Sequence, residues 1–597
     1  MKAFKKILAT CVCGALMTAP LISACGGGGN GTGEITFWYK AGSSDSKIIK
    51  EMVEVYNNGQ GKEDGVTVTA KSRQKIDKST LTFDAPNVVL VEDENFKSWA
   101  VEGLYHNLTD YYQSSPGNYT EEGIPEAVVN QLRLDKEVKN GKRMAGKGAD
   151  LQGLPFGSTP MVYYYSLDAL KNQHVNVISV EEEKLDGTGE YAKIKPHGYA
   201  EYKENPLPNA TPALEKSVNL AGEEVYKVFN NRVPMNWEEY RYVSKMFTKS
   251  YNSSSPTTYG ITQHWWFSYG WSVGGDCVGY NGDKYEFTVA DKSSNWLVTE
   301  ESGVEVNGKH YASGEIIGYE DKIKTADIAS FEGLYELPSQ YDALVEFCRT
   351  TTPTFKTVDN GINGYGISTA NEDNSAKTLT DGTAAMIASD LTTVTSLSVT
   401  YNDKYDIAPA LQWKKYDEDN GVYYKGNATF ENEYLKVIGE TYNDVVFTGD
   451  VMKIGNTPVQ GLQANCSKTK ALVIPENSDK SNYEAAWKFI RWAASSAGQE
   501  IYLKTGYVPN QTSLAMSEKY TQSVANKNYW AFANGVQNGS IGDWAYFENG
   551  QWITDWESDF NGQLRGGFQT ISTFLTQNAS AANNAIGKVN IIFNGRK

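Results

Sequence analysis

Histidine and cysteine are scarce in this sequence, with five His and six Cys in 597 residues. The histidines (His106, His174, His197, His264 and His310) stand singly, far apart along the chain. A metal cluster or a Ser-His pair would have to be assembled from isolated residues, so zinc chemistry and triad hydrolysis have no local support. Cys11, Cys13 and Cys25 fall at the extreme N-terminus. Cys277, Cys348 and Cys466 form a widely spaced trio that permits at most one disulfide and lacks zinc-ligand spacing. Positive charge is also in short supply, with 55 Lys+Arg against 72 Asp+Glu and a net charge of −17. Nucleic acid and anionic lipid both need cationic patches, so such a balance argues against either as a general partner. After the first 24 residues no apolar run approaches the roughly 18 residues of a bilayer span. The G-x-S-x-G elbow, the G-x-x-x-x-G-K-[ST] loop and the H-E-x-x-H helix are all missing. Asp417-Glu418-Asp419-Asn420-Gly421 has a calcium-loop flavour, but its Gly comes one place early and Ala428 stands where a bidentate acid is needed. It reads as a solvated acidic turn, and the sequence points to no metal and no cofactor. A carboxylate pair for glycoside hydrolysis can always be drawn from 72 acids, which makes any chosen pair uninformative.

The N-terminus is informative. Lys2, Lys5 and Lys6 precede a mostly apolar stretch, Ile7 to Ala24, which Thr10, Thr18 and Pro20 interrupt. It ends in Ile22-Ser23-Ala24 immediately before Cys25. This is the pattern of a secretory signal peptide. Its last four residues resemble the bacterial lipobox, which implies lipidation (palmitate among the acyl groups) of Cys25 as the mature N-terminus. Gly26 to Gly33 is a Gly-rich tether that holds a folded body clear of the lipid. Attachment to the extracellular face of a bacterial cell membrane is the expected location. Asn-x-Ser/Thr sequons such as those at Asn107 and Asn209 are then incidental turns.

Aromatics are the other abundance, with 38 Tyr and 14 Trp against 21 Phe. Tyr and Trp combine a flat apolar face with a polar edge, which suits large cores and ligands that are half apolar and half hydroxyl alike. Ile35-Thr36-Phe37-Trp38-Tyr39 reads as a strand, followed by a helix capped by Asp45 or Ser46 with Ile48, Ile49, Met52, Val53 and Tyr56 on one face. Val66, Val68 and Ala70 alternate as a second strand, and Val88-Val89-Leu90-Val91 is a strand buried on both faces. Ser481-Asn482-Tyr483-Glu484 has the pattern of a capping box opening another helix. The order predicts an α/β fold with a mainly parallel sheet. Irregular Tyr- and Gly-rich stretches at about 178–232, 278–325 and 412–460 read as insertions, and no internal repeat is present.

Several segments, taken in order, resemble the carbohydrate-binding lipoproteins of bacterial ABC importers, the extracellular solute-binding proteins of family 1. Pro86 to Asp93 followed by Gly103-Leu104-Tyr105-His106-Asn107-Leu108 is similar to the family's buried strand and helix end. Gly153-Leu154-Pro155-Phe156-Gly157 running into Tyr163-Tyr164-Tyr165-Ser166-Leu167-Asp168 is similar to its first interlobe crossover, and Asp381 to Met386 to its second. Asn236-Trp237-Glu238-Glu239 resembles a helix start without the usual Thr, and Glu484 to Gln499 with Gly506-Tyr507-Val508-Pro509-Asn510 resembles a late helix and its sequel.

The resemblance implies a two-lobe periplasmic-binding-protein-like fold of type II with the ligand in an interlobe cleft. Residues 34–163 and 388–472 form lobe 1 in this reading, and 164–387 and 473–597 form lobe 2. It implies a monomeric, non-enzymatic receptor that captures a sugar, an oligosaccharide in particular, and delivers it to ABC permease subunits. A surface glycoside hydrolase or lyase is the alternative. A pyranose has C–H faces and a hydroxyl rim, so its site needs aromatic plates and polar edges. Gln263, His264, Trp265 and Trp266 are the richest such cluster. Glu92, Asp93, Glu94 and Asn95 follow a buried strand at its ligand-bearing end. Ser158, Thr159, Ser389 and Asp390 lie at the crossovers, and Tyr39, Trp552 and Trp556 complete the expected site.

Overall fold

The computed structural model describes residues 33–594 apart from 41–44, 115–122, 140, 263–267, 276, 281–284, 291, 307, 319–330, 354–355, 360–361, 369–374, 418–420, 425–443, 448, 541–555 and 587–590. The first lobe opens with β1 (Gly33–Lys40), α1 (Asp45–Asn58), β2 (Val66–Arg73), β3 (Val88–Val91), α2 (Asp93–Val101) and β4 (Leu154–Pro160). The second lobe takes β5 (Val162–Ser166), α3 (Trp237–Met246), β6 (Tyr259–Ile261), β7 (Ala384–Ser389), β8 (Tyr405–Ala408) and β9 (Gln412–Lys414). A long strand, β10 (Gln460–Val473), and helix α4 (Tyr483–Ala494) follow.

In the first lobe β1 pairs in parallel with β2 (Ile35 opposite Val68) and with β3 (Phe37 opposite Val88). β10 joins this sheet antiparallel to β3 and β4, with Leu472 opposite both Leu90 and Leu154. All four residues of β3 are buried, as the continuous apolar run requires. α1 buries Ile49, Met52, Val53 and Tyr56 on one stripe. α4 buries Ala485, Ala486, Phe489, Ile490, Ala493 and Ala494 in the same core.

The second lobe's central sheet runs β6-β7-β5-β8. Side chains alternate across it. Tyr163 and Tyr165 enter one core and Tyr164, with Ile387 and Ile407, the other. The run Tyr163-Tyr164-Tyr165 is therefore the middle of a strand covered on both faces. Asn236 and Glu239 form a full capping box at the start of α3. The insertions carry small sheets and cores of their own, including Val180, Leu185, Ile194, Leu207, Val228 and Val233.

Four expectations change. α4, assigned by sequence to lobe 2, belongs to the first core, because its apolar stripe faces β1 and β3. β7's successor segment and β8, assigned to lobe 1, pack instead in the second lobe with Leu391, Leu397, Tyr405 and Ile407. The chain also returns to the first lobe at its end, where Ile591–Asn594 pairs in parallel with Arg143–Gly146. The expected capping box at Ser481 does not form. Asp479 accepts from the Ser481 N–H at 2.9 Å and closes a short turn, and α4 starts at Tyr483 without a side-chain cap.

Candidate functional site

The lobes are joined where strands pass from one sheet to the other. β4 leaves the first sheet at Pro160 and β5 enters the second at Val162, with only Met161 between them. β10 serves both lobes: its N-terminal part pairs with β9 and its C-terminal part with β3 and β4. At this crossing Ser158 is bonded through its backbone to Val508 and through its hydroxyl to Thr469 at 2.9 Å. The Thr159 hydroxyl accepts from Leu391 N–H at 3.1 Å, and the Tyr164 hydroxyl donates to the Asp390 carbonyl at 2.6 Å. Gly157 is required here: its φ is +95°, and a Cβ would lie 2.8 Å from the Tyr502 ring.

The C-terminal ends of β1 and β3 open onto the crossing, which is where open α/β sheets hold ligands. Charged residues gather there. The Lys470 amine, on β10, lies 3.5 Å from both Asp45 and Glu92 and 4.2 Å from the centre of the Tyr507 ring. Burial works against its charge, but Tyr502, Glu92, Tyr507 and Asp45 outweigh burial and hold the amine above its ordinary range. Beside it, Asp93 at the start of α2 accepts from Thr469 N–H at 3.3 Å through one oxygen. Its second oxygen is buried with no hydrogen-bond partner. Burial pushes this carboxyl up to about 7 and pulls the neighbouring Lys97 amine down to about 8. On the second-lobe side the Asp390 carboxylate lies 3.8 Å from Lys468, and the Ser389 hydroxyl is bonded to Thr393 at 2.7 Å. The arrangement offers a desolvated set of acceptors and an ammonium donor beside an aromatic ring. Among the described residues no three His, Cys, Asp or Glu side chains are grouped to hold a metal ion.

The residues expected from sequence are distributed as follows. Glu92, Ser158, Thr159, Ser389 and Asp390 are brought together around the crossing. Glu94 is exposed on α2, and Asn95 is half-buried with its N–H on the Glu92 carbonyl at 3.1 Å. Tyr39 is 1% exposed and packs in the first core, 5.8 Å from Phe37. Trp556 is 5% exposed and packs in the second core between Phe287 and Phe574, at 4.5 and 4.7 Å. Gln263, His264, Trp265, Trp266 and Trp552 lie outside the described residues. Asp45, Thr469, Lys470 and Tyr507 were not singled out as site residues by sequence, whereas Asp93 was, beside Glu92. Asp45 carried a usable signal, since it opens the first helix after β1. Lys470 carried none, because its partner Asp45 is 425 residues away.

The model of one protein family, described as bacterial extracellular solute-binding protein, matches residues 52–528, which is most of the chain. The chain belongs to the bacterial extracellular solute-binding proteins. A solved binding-protein structure shares its two-lobe fold, and two more are similar to a lesser degree. The cyclic alpha-maltosyl-1,6-maltose binding protein of Arthrobacter globiformis is 10% identical with a TM-score of 0.51, covering 94% of this chain and 99% of its own. The sugar-binding protein MalE of Xanthomonas citri is 10% identical with a TM-score of 0.49, at 93% and 98% coverage. An ABC substrate-binding protein of Listeria monocytogenes in complex with cycloalternan is 13% identical with a TM-score of 0.47, at 93% and 99%. No curated protein sequence matches this solute-binding protein.

Proposed function

We propose that this solute-binding protein is a lipid-anchored receptor that captures an oligosaccharide between its lobes and hands it to the permease of an ABC importer. The observation that carries the reading is the cluster of Asp45, Glu92, Asp93, Lys470 and Tyr507 at the strand ends facing the interlobe crossing. Carboxylates and an ammonium suit a hydroxyl rim, a tyrosine ring suits a C–H face, and a buried, unpartnered Asp93 oxygen gains most from a ligand hydroxyl. The fold is shared with an Arthrobacter protein named for a cyclic maltosyl-maltose. Glu92, Asp93, Ser158, Thr159, Ser389 and Asp390 line the proposed cleft, with Glu94 and Asn95 at its rim. Of the two adjacent tryptophans, Trp266 is the proposed aromatic plate and Trp265 the proposed core residue. A ligand that touches both lobes binds the closed form better, and that differential affinity drives closure.

Calorimetry against a panel of oligosaccharides, paired with solution scattering, tests the reading. A binding sugar shrinks the radius of gyration and stabilises the fold by roughly 2.7 kcal/mol at a hundredfold excess over Kd. The oligosaccharide is recovered intact. Turnover abolished by one carboxylate substitution would establish the hydrolase alternative instead. Anchoring is tested separately: Cys25→Ser moves the protein from the membrane fraction to the medium.

A further inference from the structure

The last residues of β1 and β2 form a basic face beside the proposed cleft. Trp38 stands opposite Lys71, and Lys40 opposite Arg73, in the parallel register. Paired positions, and positions two apart on one strand, point to the same face, so these four side chains share it. The other face carries the core residues Ile35, Phe37, Val66 and Val68. Trp38 also stands opposite Val89 of β3. Arg73, two residues past Lys71, is therefore level with Val91, two residues past Val89, and Glu92 comes next. Neighbouring strands lie roughly 4.8 Å apart, which puts the end of β2 about 10 Å from the end of β3. The cluster of Asp45, Glu92 and Lys470 stands at that second end.

The charge of this face runs against that of the chain, which is −17 overall. Among the described residues Lys40, Lys71 and Arg73 make no ion pair. The acid nearest Arg73 along the chain, Asp77, is held by Lys75 at 2.9 Å. The residues that follow β1, Ala41-Gly42-Ser43-Ser44, carry no charge. The Arg73 guanidinium lies over the Trp38 ring, 3.7 Å from its centre. Trp38 is 6% exposed, and its Nε1 and the Arg73 Nε are both buried with no hydrogen-bond partner. A guanidinium stacked in this way holds its planar fork oriented in advance and loses little freedom on gripping an oxyanion. Lys40 and Lys71 are exposed and add mobile point charges on either side.

We propose that this face is an anion subsite of the interlobe cleft, and that the captured oligosaccharide is acidic, with a sugar-ring carboxylate gripped by Arg73. The proposal rests on the sugar-receptor reading above and narrows its ligand class. Two parallel N–H groups of a planar fork match the two oxygens of a carboxylate, while the lysines attract it without fixing its geometry. A neutral sugar would gain nothing from three cations that no acid of the described chain pairs. The separation of about 10 Å between the strand ends exceeds the width of one pyranose ring. Hydroxyls of one sugar therefore meet Glu92 and Asp93 while the carboxylate of another reaches Arg73.

Calorimetry on the full chain uses matched probes: oligogalacturonates and oligoglucuronates, each beside its methyl ester, which keeps the rings and removes the charge. At least one acid binds about tenfold or more tightly than its ester, as a charge-assisted hydrogen bond requires. Arg73→Gln brings that ratio close to one. Arg73→Lys also lowers it, because it keeps the charge and loses the fork. Lys71→Gln, at an exposed position, lowers it by a smaller factor and carries the test if the Arg73 variants fail to fold. Acids and esters that bind equally, or a preference that none of these substitutions changes, overturn the proposal and leave the sugar-receptor reading standing. Failure of every oligosaccharide, acidic or neutral, to bind overturns both.

Discussion

Each lobe buries a carboxylate, and the two are treated in opposite ways. Glu201, in the second lobe, accepts from the Tyr199 and Tyr242 hydroxyls at 2.8 and 2.7 Å and from the Asn219 amide at 2.8 Å. Every donor near it is used, and the group ties a small insertion sheet to α3. Asp93, in the first lobe, has one backbone bond of 3.3 Å and an oxygen with no partner. Burial raises both pKa values. A satisfied buried carboxylate stabilises a fold, whereas a half-satisfied one is a cost the fold carries until something else completes it. The proposed ligand site at the first-lobe strand ends rests on that contrast.

The largest effect is expected from Glu201→Leu, which strands three buried donors at about 1–3 kcal/mol each. Stability in urea falls by upwards of about 3 kcal/mol while sugar affinity is kept. A loss of affinity without loss of stability would erase the contrast. Lys470→Met comes next. Removing one partner of a buried ion pair costs about 3 kcal/mol or more, and here both stability and binding fall.

Asp93→Asn sharpens the comparison further. It removes the cost of burying a charge, so stability holds or rises, while sugar affinity drops by about 1.5–3 kcal/mol through the loss of a charged acceptor. The pH dependence has a definite sign. The folded pKa of about 7 lies above the unfolded carboxylate value, so the folded state holds the extra proton between the two. Stability from this group therefore falls as pH rises from about 4 to 7, by at most about 1.4 kcal/mol per unit. Urea midpoints of the wild type and Asp93→Asn, compared at both ends of that window, converge at low pH if this holds. The smallest effect is Ser158→Ala, which loses a hydroxyl bond to Thr469 at the crossing. It costs about 1 kcal/mol of stability, and scattering reports whether closure becomes easier.

Much of the first lobe was legible because its signals are local. The apolar segment of β1, the alternation of β2, the apolar run Val88–Val91 and the stripe of α1 each declare an element within a few residues. Lobe membership was less legible. α4 is as apolar as a helix of either lobe, and nothing in Tyr483–Ala494 says which sheet it will cover. The site was legible on one side only. Glu92 stands beside a recognisable strand, but Lys470 reaches it from a strand distant in sequence, and Trp556 sits four residues after Trp552 in a pattern that fits a core as well as a ligand stack.

The sequence by itself determined the α/β class, the acidic balance and the order of family-like segments, because composition and short-range periodicity carry those. Only the tertiary structure decided which carboxylates are satisfied, which lobe each late segment joins, and that Asp45, Glu92 and Lys470 meet. Those outcomes depend on burial and on distances between residues far apart in the chain, and no local pattern encodes either.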